Sequence, residues 1–223
     1  MAANFQGIAD ALIAGKIDKN AKYPPKMAGQ PGVKELVQEA LAAGAKPADI
    51  LNNGLIAGME VVGKRFRDSE IFLPDVLMSA KAMKAAMEVL KPVLSEKDTA
   101  GRGTVIIGTV EGDLHDIGKN LVAMMMEGAG FKVVDMGVDV SCEKFVQAAK
   151  ENPGGVVAMS ALLTTTMPSM GKTIKALKEA GLSNMTIVGG APTTQEFADE
   201  IGATLYAADP TTAIEKIKAR LAA

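Results

Sequence analysis

The feature that most constrains this chain is a change of hydrophobic period near Thr104. Upstream, apolar residues recur at helical spacing. Phe5, Ile8 and Leu12 open the pattern, and Val33, Leu36, Val37, Ala40 and Leu41 continue it after Pro31, a residue suited to a helix's first turn. Leu51, Leu55, Met59, Val62 and Phe66 form a third stripe, and Val76, Ala80, Met83, Met87 and Leu90 a fourth, opened by Pro74. Short links leave these stripes only one another to bury against, which predicts an all-α four-helix bundle over residues 1–92. Gly54, Gly58 and Gly63 are poor helix residues and mark close helix packing. Residues 93–103 are polar and glycine-containing and read as a linker. From Thr104 the pattern alternates. Strands are expected at Thr104–Val110, Phe131–Gly137, Gly155–Ser160, Met185–Gly189 and Ala203–Tyr206, with helical stretches between them. Such alternation calls for a parallel sheet covered on both faces. Residues 104–223 are therefore expected to form a five-stranded, flavodoxin-like (Rossmann-like) α/β domain.

Bulk composition narrows the function classes. Apolar residues make up 48% and charged residues 22%, as in a folded globular protein. A net charge of -2 gives no long-range pull toward nucleic acid or an anionic membrane, so neither is expected as a partner. No apolar run is long enough for a bilayer span, the first residues lack a secretory pattern, and Cys142 is the single cysteine. These features together suit a cytoplasmic protein. One cysteine and one histidine cannot build a zinc cluster.

In doubly wound folds ligands bind beyond the carboxyl ends of the strands. The segment Glu111-Gly-Asp-Leu-His-Asp-Ile-Gly118 begins there and carries the sole histidine. Asp113 stands two residues before His115, close enough to bond one ring nitrogen and leave the other as a ligand. Gly118 lets the backbone come near something bulky. Asp116 is the favoured cap of the following helix, which leaves Asp113 available.

Asp113-Leu-His115-Asp-Ile-Gly118 resembles the Asp-x-His-x-x-Gly motif of cobalamin-binding domains. Ser160-Ala-Leu162 resembles the family's Ser-x-Leu, Gly189-Gly190 its Gly-Gly, and Tyr206-Ala-Ala208-Asp209 the segment lining its nucleotide pocket. Phe66, the run Ile71 to Val76, and Ser79 to Met83 resemble the helical cap of cobalamin-dependent methionine synthase and of small corrinoid proteins. The resemblance spans nearly the whole chain and is weakest over residues 1–30.

The resemblance implies a corrinoid methyl carrier whose cobalt cycles between Co(I) and methyl-Co(III). His115 would be the axial cobalt ligand, with the cofactor's own benzimidazole displaced into a pocket in the sheet. Asp113 would orient the ring, and a hydroxyl would complete a proton relay. Thr166 is the best positional match to the family's usual serine, with Thr164 close behind. Ser160 and Leu162 would line the pocket entrance, Gly189 and Gly190 would admit the nucleotide, and Phe66, Leu73 and Val76 would cover the methyl face. Methyl would come from a methylamine, methanol, methoxy-aromatic or betaine through a substrate-specific methyltransferase. It would pass to a second methyltransferase acting on tetrahydrofolate or coenzyme M, with a reductive activase as a further partner. No catalytic substrate site is expected on this chain.

Plainer roles compete at each position. Gly189-Gly190 also suits a tight turn, Thr164 to Thr166 suit a loop, and Phe66 and Leu73 suit helix packing. Met124 to Met126 read as helix core and Cys142 as a bystander. The alternatives for the whole chain are a cobalamin-binding subunit of a radical mutase, a cobalamin-dependent sensor, and a cofactor-free flavodoxin-like module.

Overall fold

The computed structural model describes residues 4–94 and 102–222. The chain divides into two compact units, residues 1–101 with 128–130, and residues 102–127 with 131–223. Of the expected linker, residues 95–101 lie outside the described residues.

The first unit is helical. It contains α1 (Phe5–Ile13), α2 (Val33–Ala42), a short α3 (Pro47–Asp49), α4 (Ala57–Arg67) and α5 (Leu73–Leu90). Asn4 caps α1 by accepting from the Gly7 N–H at 2.9 Å. Pro31, expected inside the first turn of α2, instead precedes its N-cap Gly32, whose N–H donates to Glu35 at 2.9 Å. The third stripe is less regular than its spacing predicts. Between α3 and α4 the backbone widens into a π-helical stretch over Ile50–Ile56. Asn52, Asn53 and Gly54 are weak α-formers, which lowers the cost of this departure. The glycines here do mark a close crossing. A Cβ on Gly54 would stand 3.0 Å from Ile8, and one on Gly58 would stand 2.9 Å from Leu12. Ile8, Leu12, Val37, Leu55, Val62, Ala86 and Leu90 are buried, so the stripes face one core.

The second unit alternates as expected. Its strands are β1 (Thr104–Thr109), β2 (Lys132–Asp135), β3 (Val156–Ser160), β4 (Thr186–Gly189) and β5 (Leu205–Tyr206). Its helices are α6 (Ile117–Gly128), α7 (Cys142–Glu151), α8 (Pro168–Glu179), α9 (Gln195–Glu200) and α10 (Pro210–Leu221). The strands pair in parallel in the order β2-β1-β3-β4-β5. This is the flavodoxin-like order, and its direction reverses between β1 and β3. Strand ends are shorter than the sequence suggested. Val110 makes only an isolated bridge to Val140. Before β5, Thr186 and Thr204 exchange backbone-to-hydroxyl bonds of 3.1 and 3.0 Å, which replace ladder bonds there.

Successive residues of each strand face opposite sides of the sheet. On one side Ile106, Val157 and Met159 join Phe145, Met170, Ile174 and Leu177 in a continuous core. On the other side, Ile107, Ala158 and Ile187 stand in register across β1, β3 and β4.

Candidate functional site

Hydrogen bonds within the protein hold the loop between β1 and α6 in shape. Thr109, the last residue of β1, donates its hydroxyl to the His115 carbonyl at 2.8 Å. The Gly112 N–H donates to the Asp139 carboxylate at 2.7 Å, and the Asp139 N–H donates to the Asp113 carbonyl at 3.0 Å. Asp116 then starts α6, its carbonyl accepting from Asn120 N–H at 2.7 Å and its carboxylate from the Asn120 amide at 3.0 Å. Asp116 thus occupies the position expected of it, and Asp113 is left for other work.

Asp113 is fully buried and points both oxygens at donors. Oδ1 accepts from the His115 N–H at 3.1 Å and meets His115 Nδ1 at 2.7 Å. Oδ2 accepts from the Leu162 N–H at 2.8 Å, the Leu163 N–H at 3.4 Å and the Thr166 hydroxyl at 2.7 Å. Burial alone would raise this carboxyl's pKa. The bonds from Leu162, Thr166 and His115 outweigh burial and hold it well below the usual carboxylate range. A carboxylate at Oδ1 keeps the proton on Nδ1, so Nε2 carries the lone pair. The His115 side chain is 51% exposed. Among the described residues it has no other hydrogen-bond partner.

Thr166 is buried and completes the chain from hydroxyl to carboxylate to imidazole. Its single proton has the carboxylate and the Leu163 carbonyl, 2.9 Å away, as acceptors, and the charged group is the stronger. Thr164 is exposed and is not among the donors to Asp113. The structure therefore joins Thr166, the better positional match, to Asp113 and leaves Thr164 apart.

A cavity of about 630 Å³ opens beside this loop, lined by α6, α10 and the carboxyl halves of β1, β3 and β4. That size suits a small-molecule or cofactor pocket. His115, Gly118, Ser160, Leu162, Gly189 and Gly190 all border it, as do Ala208 and Asp209. Thr164 and Thr166 do not. Asp209 has a structural duty as well, capping α10 through the Thr212 N–H at 2.9 Å. The two glycines also answer to the protein itself. A Cβ on Gly189 would lie 2.8 Å from the Ala207 carbonyl, and one on Gly190 1.9 Å from that of Ala161. Gly190 further has φ +124°, so the backbone alone requires glycine there. Gly118 is different. A Cβ there would meet nothing in the described protein within 4 Å beyond its chain neighbours and its own helix backbone.

Phe66 and Leu73 are half-buried residues of the helical unit, and Val76 is fully buried in it. Val76, expected to cover a ligand face, is a core residue. Phe72, which lies in the cap-like run Ile71 to Val76 but was given no role of its own, is 68% exposed.

Other residues were also missed. Leu114 and Ile117 flank His115 and are 73% and 74% exposed. Two large apolar residues beside a loop histidine were the available signal for an exposed apolar platform. Lys119 is buried at the cavity wall, its Nζ donating to both oxygens of Asp135 at 2.6 Å and to the Asn120 side chain at 2.6 Å. Burial opposes ionisation of Asp135, but the bond from Lys119 outweighs it and lowers the carboxyl's pKa. Nothing in the sequence marked that pair.

A doubly wound sheet with a histidine loop at its reversal point and a cavity beneath it defines a cofactor-binding α/β protein. The chain belongs to the B12 binding domain family, which matches residues 103–217, and a second family described as a B12 binding domain matches residues 30–91. It is 46% identical over 216 residues to trimethylamine corrinoid protein 2 of Methanosarcina acetivorans, covering 95% of this chain and 97% of that one. It is 41% identical over 221 residues to the dimethylamine corrinoid protein of Methanosarcina barkeri, covering 98% and 97%. Among solved structures it resembles a chain of the methanol:cobalamin methyltransferase complex of Methanosarcina barkeri. That match has a TM-score of 0.81 and 32% identity and covers 98% of this chain and 79% of the other.

The site fits a corrinoid on its own geometry. It offers an imidazole with one nitrogen fixed and one free, an exposed apolar platform around it, an open cavity beside it, and a glycine facing empty space.

Proposed function

We infer that this chain is a corrinoid methyl carrier of a methyltransferase system. The observation that carries the reading is His115, held through Nδ1 by Asp113 with Nε2 free at the edge of the cavity. Bound there, a corrinoid supplies a cobalt that accepts a methyl group and gives it up again. His115 would ligate it, and Gly118, Ser160, Leu162, Gly189, Gly190, Ala208 and Asp209, which border the cavity, would surround its nucleotide. Asp113 fixes the ring's tautomer and, held ionised by its donors, keeps a negative charge 2.7 Å from Nδ1. Thr166 donates to the carboxylate from the other side.

The helical unit's own match to a B12 binding domain family favours a carrier over a mutase subunit. Phe66 and Leu73 are the half-buried apolar residues of that unit proposed to shield the methyl face from water. The named relatives favour a methylamine-type donor, delivered by a separate methyltransferase, and the methanol:cobalamin complex supports such a pairing. A second methyltransferase acting on tetrahydrofolate or coenzyme M, and a reductive activase, complete the proposed system.

The test is anaerobic reconstitution with hydroxocobalamin, followed by desalting and visible spectroscopy beside His115→Ala. Wild type should retain cofactor with a base-off, histidine-ligated spectrum, accept methyl after reduction, and yield it to an acceptor enzyme. The variant should lose the histidine-ligated signature. A wild-type protein that retains no corrinoid sinks the reading.

A further inference from the structure

The cavity is not chemically uniform, and its polarity changes with depth. Near the strand ends its wall carries His115, Asp116, Lys119, Ser160 and Asp209. One same-face step further into the sheet, about 7 Å lower, the row is Ile107, Ala158 and Ile187. Leu121, Met126 and Ala213, from the helices that cover this side of the sheet, also line the cavity. Their side chains have no hydrogen-bonding group apart from a thioether. Backbone donors at this level are spent on the parallel ladder, which pairs β1, β3 and β4 here. The polar side chains above are also committed. The Lys119 ammonium faces three acceptor oxygens, Asp209 holds Thr212, and Asp116 holds Asn120. Among the described residues, the Ser160 hydroxyl, like the His115 Nε2, makes no side-chain hydrogen bond.

We propose that this depth gradient makes the protein selective for the lower base of its corrinoid, accepting a benzimidazole-type base and discriminating against a purine. The proposal rests on the corrinoid reading above. Beyond its imidazole ring a benzimidazole presents only hydrocarbon, which the deep row matches. A purine presents ring nitrogens and, in adenine, an exocyclic amine. Buried against Ile107, Ala158, Ile187 and Met126, those groups would find no partner. An unpaired buried polar group costs enough to weaken binding by roughly tenfold or more. Selectivity of this kind comes from polar groups left unsatisfied and needs no contact that reads the base.

The experiment measures retention and affinity of three cobamides on the full chain by visible spectroscopy. One carries dimethylbenzimidazole, one carries adenine, and the third, cobinamide, carries no nucleotide. The proposal expects the benzimidazole form to bind at least about tenfold more tightly than the adenine form. Equal affinities of those two overturn it. Binding of none overturns the corrinoid reading itself. A second arm uses Ala158→Leu, which adds bulk to the deep row. It should weaken the dimethylbenzimidazole cobamide while leaving cobinamide unchanged, with folding checked by circular dichroism. A folded variant that binds the dimethylbenzimidazole form as tightly as wild type overturns the placement of the base in the deep row. Should the variant not fold, the three-cobamide comparison on wild type decides alone.

Discussion

The two faces of the sheet are made by the same strands and the same kinds of residue, yet one is solid and the other hollow. On the solid face Ile106, Val157 and Met159 meet Phe145, Met170, Ile174 and Leu177. Packing there is so close that a Cβ on Gly108 would sit 2.9 Å from the Phe145 ring. On the hollow face Ile107, Ala158 and Ile187 border about 630 Å³ of open space, and the helices opposite offer small residues such as Ala213. The difference shows how a fold keeps a binding site without losing its core. One side supplies the cohesion, and the other is left underfilled where alanine and glycine replace larger side chains.

The largest effect should come from breaking the solid face. Phe145→Ala is expected to cost about 3–5 kcal/mol, read as a lower midpoint in urea unfolding. A cost under about 1 kcal/mol would show that this face is not the main source of stability. Next comes the carboxylate at the strand ends. Because hydrogen bonds place the Asp113 pKa below its unfolded value, its contribution is complete above the ordinary carboxylate range and is lost progressively as pH falls from that range toward the lowered folded value. Asp113→Asn should therefore destabilise at neutral pH, by about 1.5–3 kcal/mol, and flatten the loss of stability below about pH 4. An unchanged acid profile would contradict this. The sharpest comparison adds one methyl group to each side. Gly108→Ala should destabilise by about 1–3 kcal/mol through its collision with Phe145. Gly118→Ala, in α6 and facing no protein atom, should stabilise by about 0.5–1 kcal/mol and still weaken corrinoid retention. If both glycines respond alike to unfolding and reconstitution, the contrast between the faces is wrong.

The sequence exposed the two units, the order of strands and helices, and the loop that carries His115, because each is written in local pattern. Apolar runs bounded by glycine read as strands, and Asp113 and His115 are only two residues apart. What it hid was non-local. Ile107 has the same appearance in sequence as Ile106, although Ile107 borders the cavity and Ile106 lies in the core on the other side of the sheet. Thr166 is the better positional match, but its bond to Asp113 depends on how the turn after β3 is folded. The Lys119–Asp135 pair joins residues on α6 and β2 that no periodicity relates. The π-helical stretch at Ile50–Ile56 answers to tertiary packing as well as to local propensity, as the closeness of Gly54 to Ile8 indicates.

Asp113 has a mechanical consequence beyond its charge. Its two oxygens grip different loops, His115 after β1 and the run Leu162 to Thr166 after β3. The two strands are adjacent in the sheet. One buried side chain thus acts as a rivet through both loops, and the imidazole inherits the stiffness of the strands below it. A displacement of the ring must either shear that rivet or carry the β3 loop along, so the position of His115 is communicated to a segment 47 residues further along the chain, at Leu162.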